Sequence, residues 1–216
     1  MSPVLRLALK VVVFFVGLAI TAFGYVLLIK PGLGAAPWDI YHLGMSGRVP
    51  IPLAIIVQGT GLLIILLNIA LGIRPTLGMV LNMLTVGPMM QFYVGVVPQP
   101  TTLLMRWGML AIGVLLAGAG TAFYVSADLG SGPRDGMMIG LTRILNRPLG
   151  LVKNGIDVIV SLTGFWLGGP LGIGTLVVAA TLGWSMQLGM AIVERVAAYA
   201  PFSGLLRPVR LRRAEA

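Results

Sequence analysis

The chain has no cysteine and a single histidine, His42, among 216 residues. The first absence excludes disulfides, thiolate metal sites and cysteine nucleophiles. The second leaves a metal cluster or a histidine-based triad little to draw on. Charge is scarce as well. Asp, Glu, Lys and Arg make up 10% of the chain, where a soluble domain carries about 25%. No polar stretch is long enough to form a separate soluble domain. There is no Walker loop and no dinucleotide fingerprint, and Gly32–Gly34 and Gly130–Gly132 are too sparse to cradle phosphate. These gaps argue against an enzyme, a cofactor or metal site, and a nucleotide-driven pump acting alone.

What the chain does have is long apolar runs, with 57% hydrophobic residues. Six segments reach spanning length: Val11–Ile29, Pro52–Ile73, Thr76–Val97, Trp107–Ala127, Leu151–Leu167 and Leu171–Val193. A span needs about 20 residues to cross roughly 30 Å of hydrocarbon. Lipid offers no partner for backbone polar groups, so such segments are helices. The expected fold is therefore an all-α integral membrane protein with six transmembrane helices in one domain. Arg6 and Lys10 precede the first run, as in a signal peptide, but the run is too long for one.

Basic residues set an orientation. Threading six spans puts twelve Lys and Arg on the side of the N-terminus and three, Lys30, Arg48 and Arg106, on the other. The positive-inside bias then makes both termini cytoplasmic. It also accounts for the net charge of +9 without a nucleic-acid partner. The basic tail, 194–216, is expected to rest on anionic lipid headgroups.

The chain also repeats itself. Shifted by 96 positions, residues 17–91 fall on residues 113–187 without a gap, with 18 identities in 75 positions. That is roughly three times what composition gives, the mark of a duplicated unit. The first copy covers about 11–97 and the second about 107–193. Each holds three apolar segments. Three is odd, so the second copy should enter the membrane from the opposite side, giving two inverted three-helix repeats.

In each copy a long connection follows the first span. Both carry a helix-start signal: Gly34 then Pro37 and Asp39 in one, Gly130 then Pro133 and Asp135 in the other. Short helices are expected at about Pro37–Met45 and Pro133–Arg143. Each either dips into the membrane as a half-helix or lies flat on its surface. Small residues Gly17, Thr21 and Gly24, matched by Gly113, Ala117, Gly120 and Thr121, predict close helix packing.

Gly32-Leu33-Gly34-Ala35-Ala36-Pro37-Trp38-Asp39 together with Leu129-Gly130-Ser131-Gly132-Pro133-Arg134-Asp135-Gly136 resembles the paired motif of the YczE family of uncharacterised bacterial membrane proteins. That family is distantly similar to the YitT family. The resemblance implies a bacterial inner-membrane protein and no particular activity.

Asp39 and Asp135 are the leading site candidates, because an inverted duplication brings equivalent carboxylates toward one axis. Two nearby carboxylates favour a shared proton or a bound cation. The plainer reading is that each caps its own short helix. Trp38 and Arg134 are equivalent positions of opposite character. Arg134 suits an anion, or pairing with Asp135 or Asp128, or a plain cytoplasmic loop position. Trp38 suits an interfacial anchor. His42 suits a proton relay or a hydrogen-bonded interface. Gln91 and Gln187 are equivalent amides that line a pathway or bond a neighbouring helix. Lys153 and Asp157, four apart, are spaced for an intramembrane ion pair facing the protein interior, either as a gate or coupling site or as a snorkelling lysine with a buried partner.

The leading expectation is a small-solute transporter or channel whose pathway runs between the two repeats. The alternative is a non-transporting membrane partner, such as an assembly factor or a substrate-binding subunit of a larger complex. A homo-oligomer is compatible with either.

Overall fold

The computed structural model describes residues 2–198, which form eight helices and no strand. They are α1 (Pro3–Ile29), α2 (Pro37–Arg48), α3 (Leu53–Ala70), α4 (Leu77–Val96), α5 (Leu103–Ser126), α6 (Pro133–Leu145), α7 (Leu149–Trp166) and α8 (Ile173–Ala198). The basic stretch Arg207–Arg213, expected to lie on lipid headgroups, falls outside the described residues. Residues 194–198, expected as the start of that tail, continue α8 instead. α1 likewise starts earlier than its apolar run. Ser2 caps it by accepting the Leu5 amide at 3.3 Å, and Pro3 occupies the first turn, where no N–H is needed.

Helix boundaries repeat at the 96-residue shift. α2 and α6 start at Pro37 and Pro133. α3 and α7 start at Leu53 and Leu149 and end at Ala70 and Trp166. α4 and α8 start at Leu77 and Ile173. The two short helices appear where proline presets the first turn.

Five helices are long and apolar enough to cross a membrane: α1, α3, α4, α5 and α8. α7, expected as a sixth span, is not among them. Lys153, Asn154 and Asp157 dilute the apolar character of its first half.

α1 and α5 form the central crossing and approach closely at small residues. Gly17 lies against Tyr124, Thr21 against Gly120, Gly24 against Ala117 and Leu28 against Gly113. Partner numbers fall as α1 advances, so equivalent helices of the two copies run antiparallel. A Cβ on Gly17 would stand 2.5 Å from the Tyr124 backbone nitrogen. In lipid, moving an apolar side chain from lipid to protein gains little, and association relies on such close approach. Within a copy the third helix runs parallel to the first, as Gly118–Ser185 and Ala122–Gly189 place α8 on α5. α3 and α4 are antiparallel, through Ala54–Gly87, Gly61–Met83 and a 2.9 Å bond from Gln58 Nε2 to the Leu84 carbonyl.

The copies also exchange their short helices. α2 packs on α7, and α6 packs on α3. Each connecting motif docks on the third helix of the other copy. The Gly174 amide donates to Leu33 O at 2.7 Å, and its equivalent, the Gly78 amide, donates to Leu129 O at 2.8 Å. Gly34 and Gly130 have φ of +123° and +110°, and a side chain on either would strike Thr175 or Thr76. Glycine is required there for both conformation and space.

Candidate functional site

The amino ends of α2 and α6 are driven inside the bundle by this exchange. On α2, Asp39, Ile40, His42 and Gly44 are buried. On α6, Pro133, Gly136, Met137 and Gly140 are buried. The two proline corners meet directly. The Arg134 guanidinium lies over the Trp38 ring, 4.7 Å from its centroid, a cation–π contact. Trp38 and Arg134 are equivalent positions of the duplication. Equivalent residues of the two copies therefore touch along one line.

Arg134 makes a second contact across the same line. Its Nη2 stands 3.4 Å from His42 Nε2. On the other edge of the ring, His42 Nδ1 lies 3.8 Å from Asp39 Oδ1, too far for a hydrogen bond. His42 Nδ1 and Asp39 Oδ2 are both buried with no hydrogen-bond partner. Buried polar groups without partners are uncommon in folded proteins and mark places where something binds or moves.

Asp135 is placed differently from Asp39. Its Oδ2 accepts the Tyr124 hydroxyl at 2.9 Å and the Gly132 amide at 3.3 Å. It therefore caps α6, the plainer of its two expected roles, and also borders a cavity. Asp39 receives no such bond at its own helix start. Asn68, fully buried on α3, fixes the corner by donating to the Pro133 carbonyl at 3.0 Å.

The cavity beneath the corners has a volume of about 80 Å³. That is room for several water molecules. Its polar lining is Arg134, Asp135, Tyr25, Tyr124, Asn82 and the hydroxyls of Thr21 and Thr121. Val57, Gly61, Met83, Val86 and Met90 complete the wall. Arg134 and Asp135 bring opposite charges to one small space. Tyr25 is near enough to Arg134, Asp39 and Asp135 to feel all three. A second, open recess of about 340 Å³ lies further along α1, α3 and α4, lined by Lys30, Ser46 and Gln91 among others. Leu53, Val57 and Met90, all buried, stand at the boundary between the two.

The structure thus gathers Asp39, Asp135, Trp38, Arg134 and His42 at one locus. Gln91 sits in the outer recess instead, and Gln187 is exposed on α8. Lys153 and Asp157 form their pair at 2.6 Å, with the lysine side chain 48% and the aspartate 22% exposed. Asp128, considered as a partner for Arg134, binds Lys10 at 3.0 Å. Tyr25, Tyr124, Asn68 and Asn82 were missed from sequence. The asparagines carried the same signal as the glutamines, an amide inside an apolar run. The tyrosines carried none. Among the described residues no group of three or more His, Asp or Glu side chains is placed to hold a metal.

Fold and site together define a multi-pass, all-helical membrane protein with a polar interior. The chain belongs to the family of unknown function DUF6198, whose model matches residues 8–191. It is 31% identical over 187 residues to the uncharacterized membrane protein YczE of Bacillus subtilis, covering 86% of this chain and 87% of that one. An uncharacterized protein of Haemophilus influenzae is 31% identical over 179 residues, 83% and 82% of the two chains. The uncharacterized protein YyaS of Bacillus subtilis is 25% identical over 192 residues, 87% of this chain and 95% of that one. No solved structure matches the chain.

Proposed function

We propose that this protein is a small-solute transporter or channel, built from two three-helix repeats of opposite orientation, with its pathway between them. The observation that carries the reading is the polar cavity where the two corners meet. Charged groups inside a membrane domain are costly and face a pathway or a partner. Here a cation, a carboxylate and two phenol hydroxyls surround space large enough for water. The antiparallel α1–α5 crossing and the exchanged corner contacts support the inverted arrangement. In that arrangement α7 is the sixth span, α2 and α6 are half-helices entering from opposite faces, and both termini are cytoplasmic in a bacterial inner membrane. Movement is passive or gradient-driven, not enzymatic.

Reconstitution tests this. Protein in liposomes is challenged with a panel of monovalent salts, small polyols and small amino acids, and swelling is recorded. The expected result is permeation by at least one class, altered in Asp135→Asn and Asp39→Asn. Permeation by none of them, with wild type and variants alike, contradicts the reading.

A further inference from the structure

His42 is the one histidine of the chain, fully buried, and it lies between a cation and a carboxylate. Arginine has only donors and remains charged. A guanidinium N–H directed at His42 Nε2 therefore requires a lone pair on that nitrogen. A neutral ring with its proton on Nδ1, the edge that faces Asp39, is the form that accepts it.

We infer that His42 is a proton-binding site whose occupancy decides where Arg134 rests. The Nε2 lone pair takes a proton from hydronium that reaches it past Arg134, which lines the cavity; an N–H bond forms, and water is left behind. The ring is then an imidazolium with donors on both edges. Its Nε2–H can no longer accept from Arg134, and two like charges face each other across 3.4 Å. Arg134 leaves the ring and the Trp38 face for the cavity it already borders, where Asp135 lies. The Nδ1–H side closes the 3.8 Å gap to Asp39, whose buried Oδ2 also lacks a partner. Binding one proton thus exchanges Arg134 for Asp39 as the neighbour of the ring and adds a free cation to the cavity.

The other groups facing this site leave the exchange intact. Tyr41, on α2, meets the ring edge-on. Tyr25, on α1, is near both Asp39 and Arg134. α7 packs against α2 around Gly164 and Gly169. Its Lys153 and Asp157 are paired with each other near its opposite end. Arg48, at the far end of α2, is bound to the Trp166 and Leu167 carbonyls. The proton site itself stands on these contacts. Its use as the coupling ion of transport rests on the function proposed above.

A single histidine makes the test direct. The protein is purified on a histidine-free tag, labelled with ring-15N histidine and placed in lipid nanodiscs. Trp38 is the sole tryptophan, with Trp107, Trp166 and Trp184 replaced by Phe. At alkaline pH the expected spectrum has Nδ1 protonated and Nε2 bare. On acidification the ring becomes doubly protonated, and Trp38 emission changes at the same midpoint as Arg134 leaves it. Asp39→Asn should weaken proton binding about tenfold, since a facing carboxylate favours the imidazolium. Arg134→Leu should abolish the Nδ1–H preference, and Arg134→Lys should keep it, which separates loss of the donor from loss of the fold. An Nε2–H ring in the wild type, or a ring titration that leaves Trp38 emission unmoved, overturns the inference. Neither readout uses flux, so a failure of transport and a failure of the switch are told apart.

Discussion

The two copies share a fold, yet the second and third helices of each behave differently. In the first copy α3 lies tightly on α4. In the second, α7 packs on α2 and α6 and barely touches α8. The residues explain the contrast. Gly61 and Met83 interlock between α3 and α4, and Gly87 lies on the Ala54 carbonyl. At the equivalent positions stand Asp157, Ala179, Gly183 and Gly150. Lys153 and Asp157 place charge where Val57 and Gly61 line the cavity wall. A helix face that carries an ion pair does not close against an apolar neighbour without desolvating it. α3 and α4 are therefore joined by small-to-large interlocking, while α7 and α8 stay apart.

Substitutions at equivalent glycines should break or sharpen this contrast. The largest effect is expected at Gly87 against Gly183. A Cβ on Gly87 would stand 2.5 Å from Ala54 O, whereas Gly183 has open space around it. Gly87→Ala should cost about 1–3 kcal/mol through overpacking. Gly183→Ala should gain about 0.5–1 kcal/mol through helix propensity. Thermal unfolding in detergent reads both, and equal shifts would mean that α7–α8 packs like α3–α4. Next comes the central crossing. Gly17→Ala meets Tyr124 backbone, while Gly113→Ala meets first the flexible end of Leu28, so the former should be worse by about 1 kcal/mol.

A smaller effect belongs to Arg48. Its Nε and Nη2 each donate at 2.9 Å to the Leu167 and Trp166 carbonyls, the exposed end of α7. Arg48→Met should cost at most about 1 kcal/mol, because the side chain is exposed and screened. Hydrogen exchange should rise at the end of α7 and stay unchanged at the end of α3. Smallest of all, replacing Lys153 and Asp157 together by Met and Asn should shift detergent stability by less than about 1 kcal/mol. A larger loss would show that the pair bridges α7 to a neighbour after all.

Much of the fold was legible because periodic features survive divergence. The 96-residue shift recovers the start of every short helix, since Pro37 and Pro133 act locally and need no tertiary context. The glycine stripes marked close packing, but not that α1 and α5 are each other's partners. The role of Leu33-Gly34 and Leu129-Gly130 was less visible. They read as turn residues, but their carbonyls and bare α-carbons dock on the other copy's third helix. Such long-range pairing leaves no mark in local sequence. For the site, symmetry pointed to Asp39, Asp135, Trp38 and Arg134. It could not tell that Asp135 caps a helix while Asp39 turns toward His42, because that follows from Tyr124 lying near one carboxylate only. Gln91 and Gln187 show the converse: the matched amides are both exposed, one at the outer recess and one on α8.

The central claim is that the two copies face opposite ways across the bilayer. Arg74 and Pro170 are equivalent exposed residues in the α3–α4 and α7–α8 turns, and the chain has no native cysteine to interfere. Arg74→Cys and Pro170→Cys are treated, in intact cells, with a thiol reagent that cannot cross membranes. The account predicts that Pro170→Cys reacts from outside and Arg74→Cys reacts only after permeabilisation. Labelling of both from the same side would contradict it.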